Sequence, residues 1–377
     1  MLERRVKKLV VLCTAVAWLG SAFAAEAAAA RQSATPTKTS AKASPASAKK
    51  VRKAPARPSR ARAVTTRATE ASAARKTTTV KSSTSTARQR RAARLARLRA
   101  AQRAREYREV ATPLFRLDDA GNMVPDVRAA AAVVYNPVTQ QVLWSENADS
   151  PRSIASITKV MTAVVLLENE FDLGREVTVA ASDVRGARHY YVRAGDVMRL
   201  DDVLNLMLIA SDNAAAKVIA RTSLLGYDAF IERMNTKAQE LGLLNTRYTD
   251  PSGLDKGNVS SALDMARLIA FASSDDRIAS IMRKNDYRVV TKRRTLVVHN
   301  TNRLVGTEVD VQGGKTGFIR DAGYCLATLL KLPQGDPVAV VVLGARSSAG
   351  RFMETRHLFN WVAGKTQQML GTAPKEQ

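Results

Sequence analysis

In the run "IASITKVMTA", Ser156 and Lys159 stand three residues apart at the head of an apolar stretch. On a helix that spacing puts both side chains on one face. Ser156 would then occupy the first turn, where free backbone N–H groups and the helix dipole favour developing negative charge. A serine hydroxyl is a weak nucleophile until a neighbouring base takes its proton. A lysine can be that base only when neutral, and burial or a second cation pushes it that way. Alone, the pattern is weak. It recurs at Ser47-Ala48-Lys49-Lys50, in a stretch that cannot hold a site, and a serine at a helix start is more often a cap.

Two further motifs change the weighing. Ser211-Asp212-Asn213 follows Ser156 by 55 residues and interrupts two helical stretches. Lys315-Thr316-Gly317 follows 104 residues later, in a strand-like run. Their order and their helix, loop and strand settings argue against coincidence.

The elements that must position them are legible in outline. Residues 129–135 and 140–145 read as a β-hairpin around Asn136-Pro137-Val138-Thr139. Residues 156–168 read as a helix, with Ile157, Val160, Met161, Val164 and Leu167 on one face. Helices are expected over 199–209, 214–223, 227–241 (ended by Gly242) and 260–272. The pattern then turns strand-like over 287–292, 296–300, 309–318, 323–331 and 337–344, the last two flanking a Pro333–Asp336 turn and so antiparallel. An amphipathic helix over 351–362 closes the chain. A hairpin first, helices in the middle and strands last predict an α+β domain whose sheet combines strands from both ends of the sequence.

Charge divides the chain. The 377 residues carry a net charge of +25. Residues 31–110 hold 23 Lys or Arg against Glu70, Glu106 and Glu109, a net of +20, and residues 1–30 hold four basic residues against two acids, a net of +2. The rest, 25 − 20 − 2 = +3, belongs to residues 111–377. Residues 1–24 read as a secretory signal: Arg4, Arg5, Lys7 and Lys8, an apolar run from Leu9 to Leu19, then Ala22-Phe23-Ala24. Residues 25–110 read as a disordered basic linker rich in Ala, Ser, Thr, Lys, Arg and Pro. Within it, 87–109 could form a basic helix, either a solvated linker or an arm for anionic envelope polymer or a membrane surface. Secretion argues against nucleic acid and places the protein in the periplasm. Residues 111–377 form the presumed catalytic domain.

Cleavage of the signal removes Cys13 and leaves Cys325 alone, which excludes an internal disulfide and a Cys-ligated zinc. His189, His299 and His357 are the only histidines, and neither Gly-x-Ser-x-Gly nor His-Glu-x-x-His surrounds them. A Ser-His-Asp triad or a His-rich metal site is not expected. No cofactor is called for, and His299 reads as structural.

The three motifs are those of penicillin-binding proteins and class A β-lactamases. Over residues 125–365 the chain resembles the low-molecular-mass penicillin-binding proteins, the S11-type serine D-alanyl-D-alanine peptidases. The resemblance includes "IASITKVMTA", "LMLIASDNAAAKVIA", "LGLLNTRYTDPSGL" and "GGKTGFIRDAGYCLA". It implies an antiparallel sheet flanked by helices, a mostly helical subdomain, and an active site between them. It implies that Ser156 attacks the carbonyl of a D-Ala–X bond of a peptidoglycan stem peptide and becomes the acyl-ester, with β-lactams as covalent inhibitors. Lys159 is then the general base, and Ser211 relays a proton toward the leaving amine. Asn213 holds Lys159 and the substrate amide. Lys315 supplies positive charge near Ser211 and the substrate carboxylate, which Thr316 hydrogen-bonds. An extended peptide could add as a strand along the Lys315 strand, and Gly317 would let its backbone approach. The N–H groups of Ser156 and Phe318 are candidate oxyanion donors. Lys315 would also be the second cation that keeps Lys159 neutral.

A β-lactamase of class A would add a Glu-x-x-Leu-Asn pattern for deacylation. Here Glu240-Leu241-Gly242-Leu243-Leu244-Asn245 puts Asn one residue late, and Gly242 reads as a helix end. A catalytically idle wall-binding protein is disfavoured by three intact motifs. Within the peptidases, 62 residues follow Lys315, room for two strands and one helix and not for a further C-terminal domain. "NTNRLV" and "KTGFIRDAGYCLA" look like the endopeptidase branch, while Asp212 departs from the Glu expected there. The reading is a D-alanyl-D-alanine endopeptidase cleaving D-Ala–diaminopimelate cross-links, with a D-alanyl-D-alanine carboxypeptidase as the alternative.

Overall fold

A computed structural model describes residues 74–369 apart from residue 171. The signal at 1–24, Cys13, the Ser47–Lys50 match and the first part of the linker lie outside the described residues. The described part opens with helix α1 (Ala74–Ala111). Linker residues 74–86, read as disordered, and 87–109, read as helix or linker, are thus helical. Composition explains the difference. No Gly or Pro interrupts the stretch, and Ala, Arg, Leu, Gln and Glu are strong helix formers. Gln102–Glu106 and Arg105–Glu109 contacts, each four residues apart, support the last turns. Leu95 and Leu98 stay exposed.

A small ribbon, β1 (Phe115–Leu117) with β2 (Met123–Pro125), precedes the expected hairpin of β3 (Ala131–Asn136) and β4 (Gln141–Glu146). After β5 (Arg152–Ser153), a 3₁₀ turn (Ala155–Ile157) leads into α2 (Thr158–Asn169). The helical middle follows: β6 (Glu176–Thr178), α3 (Ala181–Val184), β7 (Val197–Arg199), α4 (Leu200–Ile209), α5 (Asn213–Thr222) and α6 (Tyr227–Glu240). Gly242, at φ 66°, turns the chain after α6 as expected. Then come β8 (Val259–Ser260), α7 (Ala262–Ser273) and α8 (Asp276–Met282). The chain finishes with β9 (Asp286–Val290), β10 (Thr295–His299), β11 (Asp310–Ile319), β12 (Gly323–Lys331), β13 (Pro337–Ala345) and α9 (Ser348–Met369).

The five-stranded sheet runs β11-β12-β13-β3-β4, antiparallel throughout, so strands from both ends of the domain do meet. The strand-like runs at β9 and β10 form a separate ribbon instead. β13 reads as one apolar run because both faces of the sheet are covered. Ala339, Val341 and Leu343 face the core that holds α2, α4, α5 and α7. Val338, Val340 and Val342 face Phe352, Leu358, Phe359 and Val362 of α9. α2 is buried nearly all round, as a helix apolar on every side must be. β11 is left at the sheet edge, facing the helical subdomain.

Candidate active site

The site is built where α2 begins. Ala155 adopts φ 48°, a left-handed conformation that a β-carbon disfavours. That twist turns the chain from β5 into the 3₁₀ turn, so Ser156 precedes α2 rather than sitting in its first α-turn. Two glycines distant in the chain leave room for that turn. A Cβ on Gly253 would fall 1.9 Å from the Ala155 carbonyl oxygen, and one on Gly317 would fall 2.6 Å from the Ile154 oxygen and 3.2 Å from Ser156 N. Two glycine backbones thus pack directly against the nucleophile turn.

Lys159 is fully buried. Its Nζ lies 2.9 Å from Ser156 Oγ and donates to Asn213 Oδ1 at 2.6 Å and to the Ser252 carbonyl at 2.5 Å. Burial pushes its pKa down to about 7, against the upward pull of the Asp250 and Asp212 carboxylates. A lysine so tuned can be neutral near pH 7 and accept the Ser156 proton. Lys315 is also buried; its Nζ donates to Ser211 Oγ at 2.8 Å and to the Thr316 carbonyl at 3.0 Å. Burial first, then the charges of Lys159 and Arg351, push its pKa well down. Burial leads in both depressions, and the repulsion between two buried ammonium groups works in the same direction.

The other sequence candidates gather here as well. Asn213 opens α5 and holds Lys159. Ser211 stands just before it at φ 59°. Thr316 Oγ1 donates to Thr301 Oγ1 at 2.7 Å. Gly317 passes beside the Ser156 turn, and Phe318 follows it, half exposed and stacked on Tyr324 at 4.3 Å. His299 lies outside this constellation, exposed in β10.

Three supporting residues were not singled out from the sequence. The Asp250 carboxylate accepts from Ser252 N and Oγ, Gly253 N, Asp255 N and Asn258 Nδ2, all at 2.6–2.8 Å. Burial opposes its ionisation, but these hydrogen bonds outweigh burial and hold its pKa below the ordinary range. It thereby fixes the turn that offers the Ser252 carbonyl to Lys159 and the Gly253 backbone to Ala155. Arg351 of α9, buried under the sheet, donates from Nη1 to the carbonyls of Gly317 (3.0 Å) and Cys325 (3.3 Å), and burial lowers its pKa to about 10. Thr301 sits in the quoted run "NTNRLV", with its N–H on the Ile209 carbonyl. "DPSGL" carried the only local signal for the Asp250 turn; Arg351 resembles any surface arginine in an amphipathic helix.

Comparison with known proteins agrees with this geometry. The family profile described as D-alanyl-D-alanine carboxypeptidase matches residues 119–347. A D-alanyl-D-alanine endopeptidase of Pseudomonas aeruginosa is 36% identical over 243 residues, 63% of this chain and 78% of that protein. The Streptomyces K15 DD-transpeptidase crystal structure superposes with a TM-score of 0.60 at 27% identity, covering 63% of this chain and 97% of that one. Penicillin-binding protein D2 of Listeria monocytogenes, solved in its cefotaxime-bound form, gives a TM-score of 0.56 at 28% identity, over 62% of this chain and 97% of that one. With this profile spanning more than half of its length, the chain belongs to the S11 family of serine-type D-alanyl-D-alanine peptidases.

Proposed function

We propose that this protein is a serine D-alanyl-D-alanine endopeptidase that cleaves D-Ala–diaminopimelate cross-links between peptidoglycan stem peptides. The observation that carries the chemistry is the buried Lys159 Nζ, 2.9 Å from Ser156 Oγ and with a pKa of about 7. Ser156 Oγ attacks the D-Ala carbonyl as Lys159 takes its proton. The oxyanion forms against the N–H groups of Ser156 and Phe318. Ser211, bonded to Lys315, relays toward the leaving amine the proton that Lys159 took, so Lys159 is neutral again and an acyl-ester remains on Ser156. Water then releases it. Asn213 holds Lys159 and the substrate amide, and Lys315 and Thr316 take the carboxylate beside the scissile bond. The peptide adds along the free edge of β11, with Gly317 admitting its backbone. A β-lactam enters by the same attack and leaves slowly.

The choice of an internal cross-link rests on the relative named as an endopeptidase. Chromatography of a cross-linked tetrapeptide dimer tests it. Tetrapeptide monomers are the expected product. An untouched dimer, with D-Ala released from a monomeric pentapeptide, would make the protein a carboxypeptidase.

The protein acts in the periplasm, delivered by the signal read at residues 1–24. Among the described residues no helix is long and apolar enough to cross a membrane. Helix α1 carries twelve Lys or Arg against Glu106 and Glu109, so its charge suits an anionic envelope surface.

A further inference from the structure

Asp212, between Ser211 and Asn213, is fully buried with both carboxylate oxygens occupied. Oδ1 accepts from Ala215 N at 2.9 Å, capping α5. Oδ2 accepts from Tyr191 N at 2.6 Å and from Val192 N at 3.4 Å. All three partners are donors, which suits an ionised carboxylate. Burial raises its pKa, while these N–H groups and Lys159 oppose that rise.

The segment held by Oδ2 is sewn to the same triplet twice more. Asn213 N donates to the His189 carbonyl at 3.0 Å, and Asn213 Nδ2 donates to the Ala187 carbonyl at 2.9 Å. Between these anchors Arg188 is held at φ 56°. Such conformations persist only where surrounding contacts over-determine them. Tyr190 and Tyr191 are 43% and 37% exposed, on a segment whose backbone is bonded to catalytic Asn213. From the other side Arg294 Nη2 donates to the Tyr191 carbonyl at 2.5 Å, so the segment is fastened at both faces.

We propose that Asp212 is a positioning residue that holds residues 187–192 as a wall of the substrate cleft, on which Tyr190 and Tyr191 bear the bulk of a cross-linked peptide. The nature of that substrate rests on the endopeptidase reading. A second consequence of the same carboxylate does not. Asn213, next in the chain after Asp212, accepts from Lys159 Nζ at 2.6 Å, and the charges of Asp212 at the start of α5, Asp250 in the loop before β8 and Lys315 in β11 act around that ammonium. Asp212 and Asp250 both favour the protonated lysine. Removing the Asp212 charge therefore moves Lys159 toward neutrality at lower pH.

The test uses the full chain and two substrates. Asp212→Asn keeps one acceptor oxygen and sets an NH₂ against a backbone N–H, so one anchor and the charge are lost together. The expected result is a KM for the cross-linked dimer raised about tenfold, with kcat changed less. The acidic limb of the penicillin acylation profile moves to lower pH, and Asp212→Glu, which keeps the charge, returns the limb. The double variant Tyr190→Ala/Tyr191→Ala raises the dimer KM and leaves the limb in place. An Asp212→Asn protein with a lower Tm but wild-type KM and limb would show a helix cap only and overturn the proposal. An unchanged dimer KM in the double tyrosine variant would overturn the wall, and decides the matter if Asp212→Asn does not fold. A wild-type protein acylated by penicillin yet inert toward the dimer refutes the endopeptidase reading; the acidic limb of Asp212→Asn then decides for or against Asp212.

Discussion

Gly253 lies against Ala155 so closely that a β-carbon on the glycine would stand 1.9 Å from the alanine carbonyl oxygen. The contact is backbone against backbone, and Gly253 is at φ 79°, where any side chain is strained. Nothing flexible can give way. Gly253→Ala is therefore expected to push the Ser156 turn out of line and lower stability by about 2 kcal/mol or more. Penicillin acylation rate and Tm, measured together, check this; a variant wild-type in both would mean that the loop shifts freely.

Ser156→Ala removes the nucleophile without disturbing the core, because Ser156 is partly exposed and the turn is held by its neighbours. Covalent labelling by a fluorescent penicillin is expected to vanish, with Tm within a degree or two of wild type. Intact-mass spectrometry showing a penicilloyl adduct on this variant would place the nucleophile elsewhere.

The Lys159 pKa of about 7 predicts a pH profile. Its neutral form is the active one, so acylation rises with pH through about 7, on the order of tenfold from one unit below to one unit above. Stability moves the same way. Between about 7 and the ordinary lysine value of 10.5 the unfolded chain keeps a proton that the folded chain has shed, so folding strengthens as pH rises. Lys159→Ala should abolish the limb and slow acylation on the order of 10²–10⁴-fold. Stopped-flow acylation across pH checks both; an unchanged rate would make Lys159 structural.

Arg351 supports β11 from beneath. Arg351→Met fills the volume but leaves the buried Gly317 and Cys325 carbonyls without these donors, at a cost of about 1–3 kcal/mol each if no water replaces them. Slower acylation and a lower urea midpoint are expected. A midpoint equal to wild type would show that water satisfies both carbonyls.

Deleting residues 31–105 removes most of the basic charge and no motif residue. Turnover of soluble muropeptides should stay the same, while binding to intact anionic envelope material falls and becomes less salt-sensitive. Pelleting assays across a salt series read this directly. Equal binding by the truncated protein would refute the role proposed for the arm.

The residues proposed for catalysis could be picked out because each belongs to a short local pattern. Ser156–Lys159, Ser211–Asn213 and Lys315–Gly317 announce themselves within four residues of sequence. Their supports do not, because each meets its partner only in the folded chain, outside any short pattern: Arg351 on Gly317, Thr301 on Thr316, Asp250 through Ser252 on Lys159. Alternation located β9 and β10 as strands but could not say that they pair only with each other. The 3₁₀ turn at Ala155–Ile157 packs against glycines at positions 253 and 317, which the helical periodicity of 156–168 does not contain. Within α1, 87–109 was open between helix and linker and 74–86 read as disordered, because few large apolar residues leave only intrinsic propensity to decide.

The pairing of β3 with β13 has a consequence for how the domain comes into being. Val133 meets Val341 and Tyr135 meets Ala339, so the middle of the sheet joins segments roughly two hundred residues apart, and such long-range closure makes folding slow. A nascent chain that has emerged only as far as β11 has no neighbour for β3 on its β13 side. The domain must therefore stay open until nearly all of it has been made. That lag defers completion of the sheet whose edge strand carries Lys315 until the last strand arrives.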